Sequence, residues 1–377
     1  MEAADLKFAN GKFTEDELEQ AIIELFQQQD ANGVRWGYAD GELLHRRFDE
    51  PLMEDRLVES LRRRYSGLSL TEGELKAISG ELKYIPSDPL YDGCRRTFWL
   101  INEGYTLVRE DPSMPAAHIE YIDFDDPSNN DFLIVNQYTV EDVRTRRPDL
   151  LCFVNGIPLA ILEFKTAVEE DKTIHDAWEQ ITIRYARDIP SLLKYCCIAA
   201  ISDGANSRVG TVFTPYSYFY AWNKANDEDK VSNGIGSLYT MVEGAFEPDR
   251  FLAIVRDFVF FPDDDKNDTE IVCRYPQYFA ATKLLDNICE HLRPSGDGKG
   301  GTYFGATGCG KTYTMLFLTR LMMLRRSEEL GNPTIVLIVD REDLDNQTSE
   351  LFVTAKRFLH DENVRSIENR EDLARTL

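Results

Sequence analysis

The sequence has no CxxC pair, no HExxH and no HNH-like cluster of histidines. Its seven cysteines are scattered, with Cys196 and Cys197 adjacent, and its histidines number only five. A structural zinc site and a zinc-dependent enzyme are therefore not expected, and the thiols suit a reducing compartment. No apolar run approaches the roughly 20 residues of a membrane span. The opening MEAADLKFANGKFTEDELEQ has no basic head followed by an apolar core, as a secretory signal would. These absences point to a cytoplasmic protein with no membrane partner. Positive charge is also scarce: 42 Lys and Arg stand against 66 Asp and Glu, for a net charge of -24. An acidic surface repels nucleic acid, whose binding draws on Lys and Arg at phosphates. A DNA-binding role would need a local basic cluster, as at Arg144, Arg146 and Arg147, or basic residues from partner subunits.

What is present reads as two domains, with 377 residues sufficient for both. Thr14-Glu15-Asp16-Glu17 has the form of a capping box, and Leu18, Ile22, Leu25 and Phe26 follow at helical spacing, which predicts a helix over about 15–29. A second amphipathic stretch covers Glu54 to Tyr65. Short strands are expected at His118–Phe124 and Phe132–Tyr138. Two strands are expected around Asn155-Gly156, within Asp149 to Thr166. A helix with Ala177, Ile181 and Tyr185 and an apolar strand at about Tyr195–Ile201 complete an α/β core with a helical flank. The polar segment 262–268 marks the boundary, dividing the chain into 1–260 and 261–377.

The first domain carries Asp149, Glu163 and Lys165 within RRPDLLCFVNGIPLAILEFKTA. Alternation along a strand puts Glu163 and Lys165 on one face, with Leu162 and Phe164 on the other. Asp149 and Glu163 offer hard oxygen ligands for Mg²⁺, and Lys165 could orient a water or stabilise transition-state charge. That is the chemistry of phosphodiester hydrolysis. It imposes a condition on the turn. A plain two-residue turn at Asn155-Gly156 would place Asp149 opposite Leu162, on the wrong face. Sharing a metal requires a loop of odd length or one bulge. A three-residue loop of Asn155, Gly156 and Ile157 would satisfy it, with Pro158 favouring a loop or bulge.

In the second domain, GATGCGKT spans Gly305 to Thr312 and fits G-x-x-x-x-G-K-T. Gly308 and Gly310 let the backbone wrap phosphate oxygens, Lys311 would reach the β- and γ-phosphates of ATP, and the Thr312 hydroxyl would ligate Mg²⁺. Strands are expected at Thr302–Phe304 and Thr334–Val339 around an apolar helix at 312–324, forming a βαβ unit.

These motifs, with IDFDDPSNNDFLIVNQYTV before and ISDGANSRVG after the first of them, resemble the restriction (R) subunit of type I restriction-modification enzymes. The resemblance implies a PD-(D/E)xK nuclease core with a helical flank, followed by a partial RecA-like P-loop domain of the superfamily 2 helicase type. It implies cleavage of double-stranded DNA by Asp149, Glu163 and Lys165, coupled to ATP-driven translocation, with methyltransferase and specificity subunits as partners. The family's next helix commonly carries Gln and Tyr four residues apart. Here Gln180 is followed by Arg184 at that spacing, and the tyrosine is Tyr185. Residues five apart on a regular helix point about 140° away from each other, so Gln180 and Tyr185 can both face the site only through a helix irregularity; Gln180 is carried over as a site residue, and the alternative for the pair is a surface Gln and a core Tyr. The resemblance also makes Gln277, in RYPQYFAATK, a reader of the adenine edge. It makes Val339 to Gln347 a DNA-contact motif rather than a Walker B strand ending at Asp340. No later Walker B motif or second motor domain occurs in the 377 residues, so the chain is expected to be a fragment without ATPase turnover of its own. Two rival readings are a non-catalytic assembly fragment docking on the methyltransferase core and a stand-alone nuclease with a regulatory nucleotide site.

Overall fold

The computed structural model describes residues 14–165, 173–234, 236–264, 267–339, 342–367 and 369–376, with only the backbone of 342–347. The chain divides into two compact units, Met1–Arg256 and Asp257–Leu377. The polar segment 262–268 falls inside the second.

Helix α1 (Glu15–Gln28) begins at a reciprocal cap. The Thr14 hydroxyl accepts from the Glu17 backbone N–H at 3.2 Å, and the Glu17 carboxylate accepts from the Thr14 N–H at 2.9 Å. Strand β1 (Gly37–Asp40) is followed by helices α2 (Glu54–Arg64), α3 (Glu72–Lys83) and α4 (Leu90–Glu103), the helical flank. Strands β2 (Phe132–Asn136), β3 (Leu150–Val154) and β4 (Ile157–Phe164) come next. The short helix α5 (Ile174–Glu179), strands β5 (Ile198–Ser202) and β6 (Ser207–Gly210), and helices α6 (Gly236–Ala245) and α7 (Pro248–Asp257) complete the run. The expected strand at 118–124 is only Ala117–Ile119, paired in a small ribbon with Tyr105–Leu107.

The six strands form one mixed sheet in the order β1 to β6. The β1–β2 and β4–β5 pairs are parallel and the others antiparallel. Every residue of β2, β3, β4 and β5 is buried, so both faces are covered. On one face Leu133, Val135, Leu151, Ile161, Ala199 and Ile201 pack with Ile174, Ala177 and Ile181. On the other, Phe132 meets Trp36 with ring centroids 5.1 Å apart, and Trp36 meets Phe26 and Phe251, each at 5.5 Å. No helix among the described residues is long and apolar enough to cross a membrane.

The turn between β3 and β4 has two residues, not three. Asn155 has φ 51° and Gly156 φ 79°, the left-handed pair a tight hairpin requires. The irregularity lies one step further on. Val154 pairs with Ile157 and Phe153 with Pro158, but Cys152 pairs with Ala160, leaving Leu159 as the extra residue of a bulge. The bulge restores the register that the nuclease reading demands: Leu150 faces Leu162, so Asp149 comes opposite Glu163.

In the second unit a ribbon of Val259–Phe260 with Ile271–Val272 precedes α8 (Tyr275–Glu290), α9 (Lys311–Arg320) and α10 (Glu342–Val353). Phe258 contacts Tyr278 at 4.9 Å and Phe317 at 5.2 Å between centroids. The expected strands at 302–304 and 334–339 are not formed: both segments run without ladder partners, with Phe304 and Ile338 about nine-tenths exposed. An apolar segment becomes a strand only by bonding to a neighbour, and neither finds one among the described residues.

The turn sets a stability prediction. A Cβ at Gly156 would meet the Met53 carbonyl oxygen at 2.4 Å and the Arg56 Cβ at 3.1 Å. Gly156→Ala, combining that collision with a positive φ, is expected to cost more than about 1 kcal/mol in a denaturant titration. A variant of unchanged midpoint would show that the turn is not so constrained.

Candidate active site

The register places three acids and a lysine together. Asp149, just before β3, is buried and accepts a hydrogen bond from the Phe164 backbone N–H on its Oδ2 at 2.7 Å. Glu163, near the end of β4, is fully buried. The Lys165 amine lies 3.0 Å from Glu163 Oε1 and donates to the Phe164 carbonyl at 2.7 Å. Its third contact, at 3.4 Å, is Glu15 Oε1 in the first turn of α1. Glu15, Asp149 and Glu163 each offer an oxygen, and the three oxygens lie within 4.8 Å of one another.

Glu15 was not expected from sequence. Its segment reads as a helix cap, and a residue 150 positions from Lys165 gives no local sign of where it will land. The signal available was the surplus of acids in the first turn beyond the one the cap needs.

Gln180 and Tyr185 both reach Glu163. The Gln180 side-chain N–H donates to Glu163 Oε1, the Tyr185 hydroxyl donates to Oε2 at 3.1 Å, and Gln180 Nε2 donates to the Tyr185 oxygen at 2.7 Å. On a regular helix residues five apart diverge. Here Gln180–Tyr185 forms a turn of π-helix, whose wider winding returns residue i+5 to the face of residue i. This π-turn is the helix irregularity that the pair needs in order to face the site together.

The electrostatics follow from burial. Burial pushes the Asp149 carboxyl well above its ordinary pKa, and the Glu163 charge adds to the shift. Burial also raises Glu163, against the opposing pull of the Lys165 amine. Lys165 is raised as well: burial works against its charge, but Glu163 and Asp149 outweigh it and keep it protonated. The group offers oxygen donors only, a set that fits a hard divalent cation.

In the second unit Gly308 and Gly310 have φ 80° and 84°, so the loop uses backbone that side chains rarely adopt. Lys311, the first residue of α9, donates from Nζ to the Gly305 and Ala306 carbonyls, each at 3.0 Å, and Thr312 follows half-buried in the first turn. Gln277 is buried. Its Oε1 accepts from the Arg274 N–H at 2.8 Å and its Nε2 donates to the Gly310 carbonyl at 3.2 Å. Its amide thus ties α8 to the loop. Asp340, Arg341 and the side chains of 342–347 in the expected DNA-contact motif lie outside the described residues.

Residues 12–218 match the family described as type I restriction enzyme R protein N terminus. The chain belongs to this family. Residues 276–377 match the SWI2/SNF2 ATPase family. Among curated R-protein relatives, the MjaIXP type I restriction enzyme endonuclease subunit of Methanocaldococcus jannaschii is 29% identical over 73% of this chain and 27% of its own length. The HindI endonuclease subunit of Haemophilus influenzae is 29% identical over 69% of this chain and 25% of its own. The chain therefore spans about a quarter of the length of these R-protein relatives.

Two raised carboxyls give a pH prediction. An acid whose pKa is raised by folding favours the fold fully below its unfolded pKa of about 4 and loses that contribution as pH rises through the folded value. With metal chelated, Asp149→Asn is expected to raise the thermal midpoint at pH 8, since Asn can still accept from the Phe164 N–H. The gain should fade as pH approaches about 4. Added divalent cation should raise the midpoint of the unmutated chain and not of the variant. An Asp149→Asn chain less stable than the unmutated one at pH 8 would contradict this account.

Proposed function

We propose that the first unit is a PD-(D/E)xK nuclease that cleaves double-stranded DNA with Mg²⁺ at Asp149 and Glu163. The supporting observation is the approach of the Asp149 and Glu163 oxygens at the end of the β3–β4 ladder, whose register the bulge at Leu159 sets, with the Lys165 amine 3.0 Å from Glu163. A cation bound there would polarise the scissile phosphate and lower the pKa of an attacking water. Lys165, kept cationic by its two acids, would hold that water or the charge developing on phosphate oxygens. Gln180 and Tyr185 would keep Glu163 oriented by occupying both its oxygens, as supporting hydrogen bonds do for metal ligands. Glu15 would complete an oxygen donor set on the open side.

The second unit supports a nucleotide site in which Gly308 and Gly310 shape the phosphate loop and Lys311 and Thr312 meet the phosphates and their Mg²⁺. The pinning of Gly310 by Gln277 supports a role for that glutamine in holding the loop; meeting the adenine is what the family resemblance implies for it. In the complete enzyme this unit would begin the ATP-driven motor, with methyltransferase and specificity subunits supplying modification and recognition.

The test uses the full-length subunit assembled with its partners. Lys165→Ala should lower DNA cleavage by roughly 10²-fold or more while leaving ATP hydrolysis largely intact, and Lys311→Ala should remove ATP hydrolysis. Loss of ATP hydrolysis in a folded Lys165→Ala enzyme, or cleavage that survives it, would overturn the assignment and return attention to a docking role.

A further inference from the structure

The carboxylate site shares a wall with a second feature. A cleft of about 590 Å³ is lined by Arg146, Arg147, Arg184 and Thr139, with Gln180 and Tyr185 as its inner wall. The same Gln180 and Tyr185 hydrogen-bond Glu163, so the cleft and the carboxylate site share these two residues. Three guanidiniums lining one cleft stand out in a chain of net charge -24.

The three arginines are held differently. Arg146 is fixed from behind: its Nε donates at 2.7 Å to Asp188, a fully buried acid that also takes Arg187 Nε at 2.6 Å. Arg187 and Arg146 hold that carboxyl well below its usual range, so it stays charged. The Arg144 backbone N–H donates to the Asp188 carbonyl at 3.0 Å, tying the Thr145–Arg146 strand, paired with Val140–Glu141, to the helix end. Arg147 makes an exposed pair with Glu42, weak enough to exchange for a phosphate. Arg184 is exposed, and no hydrogen bond or ion pair joins its side chain to another of the described residues.

The π-turn explains why Arg184 is there. It stands four residues after Gln180, the place a regular helix would aim at Glu163. The wider turn gives that place to Tyr185 and leaves Arg184 on the cleft. One extra residue thus completes the carboxylate site and adds a guanidinium beside it.

We propose that this cleft seats the DNA backbone, with Arg146, Arg147 and Arg184 taking the phosphates that flank the one to be cut. The assignment of a scissile phosphate rests on the nuclease reading of the adjacent carboxylates; the binding seat does not. Guanidinium groups match phosphate with paired N–H donors, and the cleft lets an acidic protein hold DNA locally.

The test is equilibrium binding of a short DNA duplex to the 377-residue chain in chelator, where no metal-dependent cutting can occur. Affinity is read across a salt series. The double variant Arg147→Ala/Arg184→Ala alters exposed side chains and is expected to fold. It should bind about tenfold or more weakly, and the slope of log K against log salt should fall in magnitude by about 2. Arg184→Glu should weaken binding further, and Arg184→Lys should restore most of the slope. Unchanged affinity and slope in the double variant, or no duplex binding by the unmutated chain at low salt, would overturn the seat. Weakened binding in the variants, with cleavage by the assembled full-length enzyme unchanged in Lys165→Ala, would keep the seat and overturn the nuclease reading beside it.

Discussion

Two carboxylates buried side by side at the end of a sheet are costly unless something offsets their charge. In this chain Lys165, Gln180 and Tyr185 surround Glu163, and the Phe164 N–H holds Asp149. Much of the local architecture is what that arrangement requires. The bulge at Leu159 sets Asp149 against Glu163, the π-turn brings a fifth-residue tyrosine back to the site, and α1 carries Glu15 to its open side. The π-turn breaks regular geometry beside Glu163, and the bulge does so three ladder pairs away, setting the register on which the acids meet.

Much of this could be read from the residues. Thr14 and Glu17 announced the start of α1, Asn155-Gly156 announced the hairpin, and the two-residue spacing of Glu163 and Lys165 gave a shared face. The need for one irregularity between Asp149 and Glu163 followed from strand alternation alone. Its location did not, because a three-residue loop and a bulge at Leu159 restore the same register. The five-residue spacing of Gln180 and Tyr185 likewise showed that an irregularity was needed for both to face the site, while only the buried Glu163 gives both a reason to do so. Glu15 depended on a contact across 150 positions.

The second unit was less legible. The glycine loop and the helix after it occur as expected, with Lys311 opening that helix. The flanking apolar segments, read as parallel strands, are not paired among the described residues. Periodicity identifies a segment that could join a sheet; hydrogen-bonding neighbours decide whether it does. The acidic charge, which argued against nucleic acid, is balanced locally by three arginines that line one cleft. Net charge describes the whole surface, whereas binding depends on the charge at the site.

The account stands on Asp149 and Glu163 sharing one divalent cation. The most direct measurement is anomalous diffraction from crystals of the chain soaked in Mn²⁺. The expected result is a peak within ligand distance of both carboxylates, lost in Asp149→Asn crystals. Ordered Asp149 and Glu163 side chains with no peak between them, at Mn²⁺ concentrations that fill other sites, would contradict it.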